Sequence, residues 1–145
     1  MRRKGFALAV LLATVSAAPA ATVEVVVSNV QPGHGNVQIA LCNSALEPER
    51  CQKTQTVPPS GGSVRVAFAD VAPGRYAVAA FQDEDGTGVL RRGKLGIPLE
   101  PFGFSNGAGL TRKPKFEAAA FDVGEGGRAV SVRLKQFDHR SAPEE

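Results

Sequence analysis

The acidic turn at residues 83–88 is the segment of this 145-residue chain whose residue types best suit metal binding. Its sequence is Asp-Glu-Asp-Gly-Thr-Gly. It has oxygen-bearing side chains at positions one, three and five and glycine at position six, like the first half of a calcium loop. The candidate calcium ligands, with one carboxylate from further along the chain, are Asp83, Asp85, Thr87 and Glu100. We expect no resident cofactor, and calcium at this turn is the one candidate.

The second half of the calcium pattern is missing. Position twelve should carry a bidentate carboxylate but is Lys94, and two arginines precede it. Cations this close to the turn would repel a metal ion. The alternative interpretation is therefore an ordinary β-turn, in which Asp and Gly are present for backbone geometry.

Groups suited to catalysis are scarce. A serine or cysteine nucleophile needs an activating base, yet His34 lies in a glycine-flanked turn and His139 lies near the C-terminus. Asp83 and Asp85 share one turn, whereas glycosidase carboxylates face each other across a cleft. We therefore expect a non-catalytic protein. The alternative is a transthyretin-like hydrolase.

The chain has two cysteines, Cys42 and Cys51. In an oxidising compartment such a close pair usually forms a disulfide. Closing so short a loop stabilises a fold by roughly 2–3 kcal/mol on the chain-entropy model. A two-thiolate metal site would need further ligands, which the two histidines are poorly placed to supply.

Residues 1–20 have the pattern of a secretory signal peptide. Three basic residues precede a short apolar run, and Ala18 and Ala20 stand in the relation that signal peptidase recognises. The run is too short for a membrane span, which needs about 20 apolar residues. We therefore expect cleavage after Ala20 and a periplasmic or secreted mature chain without a membrane span.

Charge limits the class of partner. The chain has 17 basic and 14 acidic residues, and three of the basic ones lie in the predicted leader. The mature part then carries 14 of each. A balanced domain has no overall electrostatic attraction to nucleic acid or to an anionic membrane. The expected partner is an unidentified small molecule or an extracytoplasmic protein.

The rest of the chain alternates apolar and polar residues with period two, which is typical of half-buried strands. Strands are predicted at residues 22–30, 36–42, 52–57, 63–69, 75–82, 115–123 and 128–134. These seven strands predict an all-β, antiparallel sandwich over residues 21–137, with a closed barrel as the alternative. Strand 75–82 is apolar on both faces, which predicts a central strand covered on both sides. Residues 138–145 are expected to form a flexible tail.

One long loop interrupts this pattern, between residues 83 and 115. Its apolar residues argue for an ordered loop that covers an open end of the sandwich. The predicted anchors are Leu95, Ile97, Leu99, Phe102 and Phe104. The loop is either a hydrophobic plug or a surface for a ligand or partner, and the candidate binding residues are Phe102, Phe104 and Asn106.

Four stretches carry a family resemblance. They are the Pro-Gly-Arg-Tyr-Ala-Val segment at 73–78, the acidic stretch at 81–88, the Gly-Ile-Pro-Leu-Glu-Pro-Phe-Gly-Phe-Ser-Asn segment at 96–106 and the Pro-Lys-Phe-Glu-Ala-Ala-Ala-Phe segment at 114–121. With them the chain resembles the bacterial exported domain-of-unknown-function family number 2141. The resemblance implies a secreted or periplasmic sandwich of prealbumin-like or immunoglobulin-like kind, without an established activity. Typical members have an asparagine-rich acidic turn, where this chain has Asp85 and Thr87.

Overall fold

The structure is a computed structural model that describes residue 5 and residues 9–16, 20–109 and 113–137. Parts of the predicted signal peptide lie outside the described residues. The whole predicted tail at 138–145, with His139, also lies outside them. Among the described residues, no helix has both the length and the apolar character needed to cross a membrane.

Strands dominate the described residues. They are β1 (Ala21–Ser28), β2 (Asn36–Cys42), β3 (Lys53–Val57), β4 (Ser63–Val71), β5 (Gly74–Asp83), β6 (Phe102–Phe104), β7 (Phe121–Val123) and β8 (Arg128–Arg133). One helical turn, α1 (Phe116–Ala119), and three 3-10 turns, Pro48–Arg50, Lys94–Gly96 and Ser105–Gly107, complete the set. The strand predicted at 115–123 is thus wrong in its first half. Alanine is the strongest helix former, and the three consecutive alanines at 118–120 favour the helical turn there.

Two sheets form the sandwich, and the all-β prediction is confirmed. The smaller sheet has the order β4-β1-β8, and the larger has the order β3-β2-β5-β6, with β7 also paired to β5. All of the pairings between these strands are antiparallel except that between β1 and β8, which is parallel. This pair differs from the antiparallel prediction. Side-chain alternation is the same in both orientations, so the pattern carries no information about direction.

The main core lies between the two sheets. Alternate residues of β1, β2 and β4 point into it, as the sequence predicts, and β5 contributes its even-numbered residues. The strand contributions are Ala21, Val23, Val25, Val27, Val37, Ile39, Leu41, Val64, Val66, Phe68, Val71, Val78, Ala80, Phe121, Val123 and Val132. Burial of such side chains, at about 25 cal/mol per Å² of apolar surface, is the main source of stability.

Hydrogen bonds also join the edges of the two sheets. On one side, Lys53 Nζ and Gln55 Nε2 of β3 donate to the carbonyl oxygens of Ala69 and Ala67 in β4, at 3.0 and 2.7 Å. On the other side, Phe102 of β6 and Lys135 exchange two backbone hydrogen bonds, of 2.9 and 2.8 Å. The sandwich therefore has features of the closed barrel that the sequence left as an alternative.

A second apolar cluster covers the outer face of the larger sheet. β5 supplies Ala77, Ala79 and Phe81, which point away from the main core. They cluster with Phe102 and Phe104 of the neighbouring strand β6, with Leu90 of the long loop and with Ala119 of α1. The loop was expected to cover an open end of the sandwich, and that position is wrong. It covers a sheet face, because β5 is apolar on both sides and its outer side chains must also leave water.

Two of the predicted anchors are likewise wrong. Leu95 and Ile97 are exposed, whereas Leu90, which was not predicted, is buried. The predicted disulfide is confirmed, since Cys42 at the end of β2 is bonded to Cys51. Both cysteines border the second cluster, so the disulfide fixes residues 43–50 beside the outer face of the larger sheet.

Candidate functional site

The acidic turn begins at the last residue of β5. The carboxylate of Asp83 accepts hydrogen bonds from the backbone N–H groups of Thr87 (3.1 Å) and Gly88 (2.8 Å). Gly86 and Gly88 have φ values of 70° and 76°, in the region that favours glycine. Asp83 thus folds the turn around its own side chain, which is the structural role that the β-turn interpretation assigns to it.

Glu100 reaches the same turn from the far end of the loop. Its side chain is completely buried, with 0% exposed. Oε1 accepts from the backbone N–H groups of Glu84 (3.0 Å) and Asp85 (3.4 Å), and Oε2 accepts from that of Arg91 (2.9 Å). Hydrogen bonds to an ionised acceptor are about twice as strong as neutral ones. Glu100 therefore ties both ends of the 84–91 segment to one carboxylate.

Asp85 lies on the exposed side of the turn. Its Oδ1 accepts from the Thr87 hydroxyl at 2.8 Å and from the Thr87 N–H at 3.2 Å. Its Oδ2 lies 3.9 Å from Nη1 of Arg91. The pKa of the Asp85 carboxyl is lowered, chiefly by the hydrogen bond from the Thr87 hydroxyl, with a further contribution from the Arg91 charge.

The structure brings three of the four predicted ligands together. Carboxylate oxygens of Asp83, Asp85 and Glu100 all lie within 4.8 Å of one another. Thr87, the fourth, is hydrogen-bonded to Asp85. Carboxylates at this spacing suit a hard cation such as Ca²⁺. Their repulsion is also offset by the backbone N–H dipoles that point at them and by Arg91, so the same geometry fits a turn without metal.

A buried glutamine holds the neighbouring turn, and the sequence did not identify it. Gln82 Nε2 donates to the carbonyl oxygens of Gln31 (2.6 Å) and Gly35 (3.2 Å), and its Oε1 accepts from the Gln31 N–H at 3.0 Å. A Cβ on Gly35 would overlap the Asp83 carbonyl, so the two turns pack closely. A polar residue at the end of an otherwise apolar strand was the available signal.

The predicted binding residues contact the chain itself. Phe102 and Phe104 are buried and lie edge to face, with ring centroids 5.9 Å apart. The Asn106 amide donates to the carbonyl oxygens of Ala120 (2.9 Å) and Ala118 (3.4 Å). The three residues thus join β6 to the segment around α1. Their assignment to a ligand surface stays a prediction.

Ser105 is a further structural residue that the sequence did not reveal. It is buried, its Oγ accepts from the Val78 N–H at 2.9 Å, and its hydroxyl donates to the Ala119 carbonyl at 2.6 Å. Its structural role arises only in the folded chain, because β5, α1 and the turn after β6 meet at this residue. No pattern in the sequence around residue 105 signals this contact.

Residues 91–99 form a projecting turn that we name the basic hairpin. Its two sides are joined by hydrogen bonds from Leu99 N to Arg91 O and from Gly93 N to Ile97 O, both of 2.8 Å. The 3-10 turn Lys94–Gly96 forms its tip. At the centre of the tip Leu95 has φ of 65° and is 96% exposed.

A match between the sequence and a family model identifies the family of this chain. A family model described as "Uncharacterized protein conserved in bacteria (DUF2141)" matches residues 25–131, which is more than half of the chain. The chain belongs to this family. The match begins within β1 and ends within β8, so in this DUF2141 chain it spans both sheets and the long loop. No curated protein and no solved structure matches the chain. The prealbumin-like or immunoglobulin-like relationship stays a prediction.

Proposed function

We propose that this DUF2141 chain is an exported, non-catalytic binding module, and that its contact surface is the basic hairpin with the adjacent Val89. One observation carries the proposal. Among the described residues from 20 onward, the large hydrophobic side chains that are exposed all lie in one loop: Val89 at 57%, Leu95 at 96% and Ile97 at 39%. Exposed apolar residues gathered in one place are typical of interaction sites.

The use of the carboxylates supports a non-catalytic role. Asp83 and Glu100 accept hydrogen bonds from five backbone N–H groups, two on Asp83 and three on Glu100. A catalytic base must instead keep a lone pair directed at substrate. The disulfide between Cys42 and Cys51 supports export, because such bonds persist in oxidising compartments.

Site-specific photo-crosslinking tests the proposed surface. A photoreactive amino acid is introduced at position 95 in producing cells, and in a matched control at position 65, an exposed site on β4. We expect a crosslinked partner, whether protein or lipid, from position 95 and none from position 65. Equal labelling from both positions would contradict the proposal.

An activity screen tests the non-catalytic part. Turnover of an ester, peptide or glycoside substrate would contradict it, if the activity disappears in Asp83→Asn while that variant still unfolds cooperatively.

A second candidate function is a calcium-stabilised domain, and the clustering of Asp83, Asp85 and Glu100 within 4.8 Å favours it. A ligand that binds only the native state raises stability by RT ln(1 + [L]/Kd). Calcium at millimolar concentration should then raise the Tm, EDTA should reverse the rise, and Asp85→Asn should reduce it. Asp122→Asn, on the exposed face of β7, is the matched control. An unchanged Tm on adding calcium or EDTA would reject this candidate.

A further inference from the structure

We propose that the basic hairpin docks on an anionic lipid surface. The inference rests on the proposed function, and it deepens that function by naming the partner of the same loop. Its basis is an exposed apolar tip beside three cationic side chains. Leu95 and Ile97 supply the tip, and the cations are Arg91, Arg92 and Lys94.

The backbone of the hairpin suits an apolar phase. Gly93 N donates to Ile97 O, Gly96 N donates to Gly93 O at 3.3 Å, and Nη1 of Arg92 donates to Gly96 O at 3.1 Å. Polar backbone groups that enter lipid must be satisfied within the protein. The hairpin thus satisfies several of its groups internally while its apolar side chains project outward.

Leucine at position 95 is energetically unfavourable, which indicates that it has a role at the tip. Its φ of 65° lies in the left-handed region, which L-residues other than glycine, asparagine and aspartate disfavour. Its side chain is also almost fully exposed to water. Glycine or asparagine would suit this backbone and this exposure better. Backbone strain combined with exposed apolar surface points to function at the tip.

Charge complementarity selects the partner. Residues 86–99 carry three basic side chains and no acidic one, although the mature chain as a whole is balanced. Asp85 pairs with Arg91 at the base of the hairpin, with 3.9 Å between Oδ2 and Nη1, so Arg92 and Lys94 are the cations that carry the attraction. Basic residues beside apolar ones attract peripheral proteins to anionic headgroups. Salt limits this attraction to a Debye length of about 10 Å, so an approaching membrane interacts with the charges near the tip, Arg92 and Lys94, more than with the balanced total.

The size of the surface also favours lipid over a protein groove. A stable protein interface buries about 800 Å² on each partner and involves 20–30 residues. The exposed apolar part of this hairpin consists of two side chains with a third nearby. Shallow insertion of a few side chains, assisted by cations, is sufficient for reversible attachment to a bilayer.

Vesicle co-sedimentation of the full chain tests the proposal. The vesicles are phosphatidylcholine alone, or phosphatidylcholine with phosphatidylglycerol at three to one. We expect a clear preference for the anionic vesicles that 0.5 M NaCl weakens. Leu95→Asn, which keeps a residue tolerant of this φ, should lower partitioning about tenfold. Arg92→Gln with Lys94→Gln should also lower it about tenfold, on the anionic vesicles only.

The control removes the same charge elsewhere. Arg65→Gln with Lys113→Gln changes two exposed basic residues outside the hairpin and should leave partitioning unchanged. Thermal unfolding of each variant checks that the fold is retained. Equal binding to both vesicle types, or binding that Leu95→Asn leaves unchanged, would overturn the lipid proposal. If position 95 then crosslinks to an extracytoplasmic protein, the proposed binding module still holds and its partner is that protein.

Discussion

Glu100 is the residue on which the acidic turn depends most. A fully buried carboxylate is stable only when hydrogen bonds or charges replace its lost hydration. Three backbone N–H groups do so here. Because these groups come from both ends of the 84–91 segment, the Glu100 side chain connects the two ends and fixes where the basic hairpin begins.

Replacing Glu100 by glutamine should therefore destabilise the chain. One amide NH₂ group would face part-buried backbone N–H donors and leave them unsatisfied, and such a group costs about 1–3 kcal/mol when it is kept from water. We expect a loss of this size in urea denaturation. Glu125→Gln, in the exposed turn before β8, is the matched control and should be neutral. Equal stability of Glu100→Gln and the wild-type chain would refute this stabilising role of Glu100.

Asp85 should link stability to pH. Its pKa in the folded state is lowered from an ordinary value of 3.8, first by the Thr87 hydroxyl. The stabilisation is therefore complete above 3.8 and is lost as the pH falls through the lower folded-state value. The difference in free energy of unfolding between wild type and Asp85→Asn should be constant near neutral pH and should shrink below 3.8. A difference independent of pH would contradict this assignment.

Part of this site could be predicted from spacing. Alternate oxygen-bearing residues followed by glycine identified Asp83, Asp85 and Thr87 as neighbours, because they share one turn. Glu100 was included without any constraint of spacing. Its actual partners are backbone groups, and their identity depends on how the chain returns after residue 91. The local sequence does not determine this tertiary path. The contacts of Ser105 likewise depend on tertiary structure and could not be predicted.

At the scale of elements, β6 is the piece that joins the second cluster to the rest. It pairs with β5 through residues 79–81 and is linked to Lys135 by two backbone hydrogen bonds. Its middle residue, Gly103, lies against the backbone of β8. A Cβ there would overlap the carbonyl oxygen of Arg133. The close approach of the two strands therefore requires glycine.

Gly103→Ala should separate β6 from β8. Overpacking of a tight contact typically costs about 1–3 kcal/mol, and backbone atoms yield less readily than side chains. We expect a loss of at least this size in chemical denaturation. Gly124→Ala is the matched control, because a Cβ at that position meets nothing within 4 Å. A Gly103→Ala chain as stable as the control would show that the strands can part without loss.

The strands were the most predictable elements, and their limits have physical causes. Period-two alternation located β2 at residues 36–42 and showed that β5 is covered on both faces. It did not find β6, whose three residues are all buried and so do not alternate. It also could not orient β8 relative to β1, because the alternation of a strand is independent of its direction.

At the scale of the whole molecule, the disulfide limits the freedom of the unfolded chain. Cys42 and Cys51 are separated by nine positions. On the loop-entropy model, reduction should lower the free energy of unfolding by about 2–3 kcal/mol. Urea denaturation with and without a thiol reductant measures the effect. The double variant Cys42→Ala with Cys51→Ala should not respond to the reductant, and an identical response of both proteins would contradict the prediction.

The net charge of the chain does not describe how charge is distributed over its surface. The sequence without its predicted leader is balanced, which predicts no attraction to anionic surfaces, and for distant approach that argument holds. It does not describe a projecting hairpin whose tip is flanked by Arg92 and Lys94. Asp85 of the acidic turn pairs with Arg91 only at the base of this hairpin. The relevant charge is that of the surface presented to a partner.

The parallel pairing of β1 with β8 determines when folding can finish. β1 lies between β4 and β8, so the first of the described strands to be synthesised must wait for the last of them before both of its edges are filled. Contacts between segments so distant in sequence form slowly, because a long loop must close first. A nascent chain cannot complete its smaller sheet while residues 128–133 are still in the ribosome. Until those residues emerge, the edge of β1 that pairs with β8 stays open.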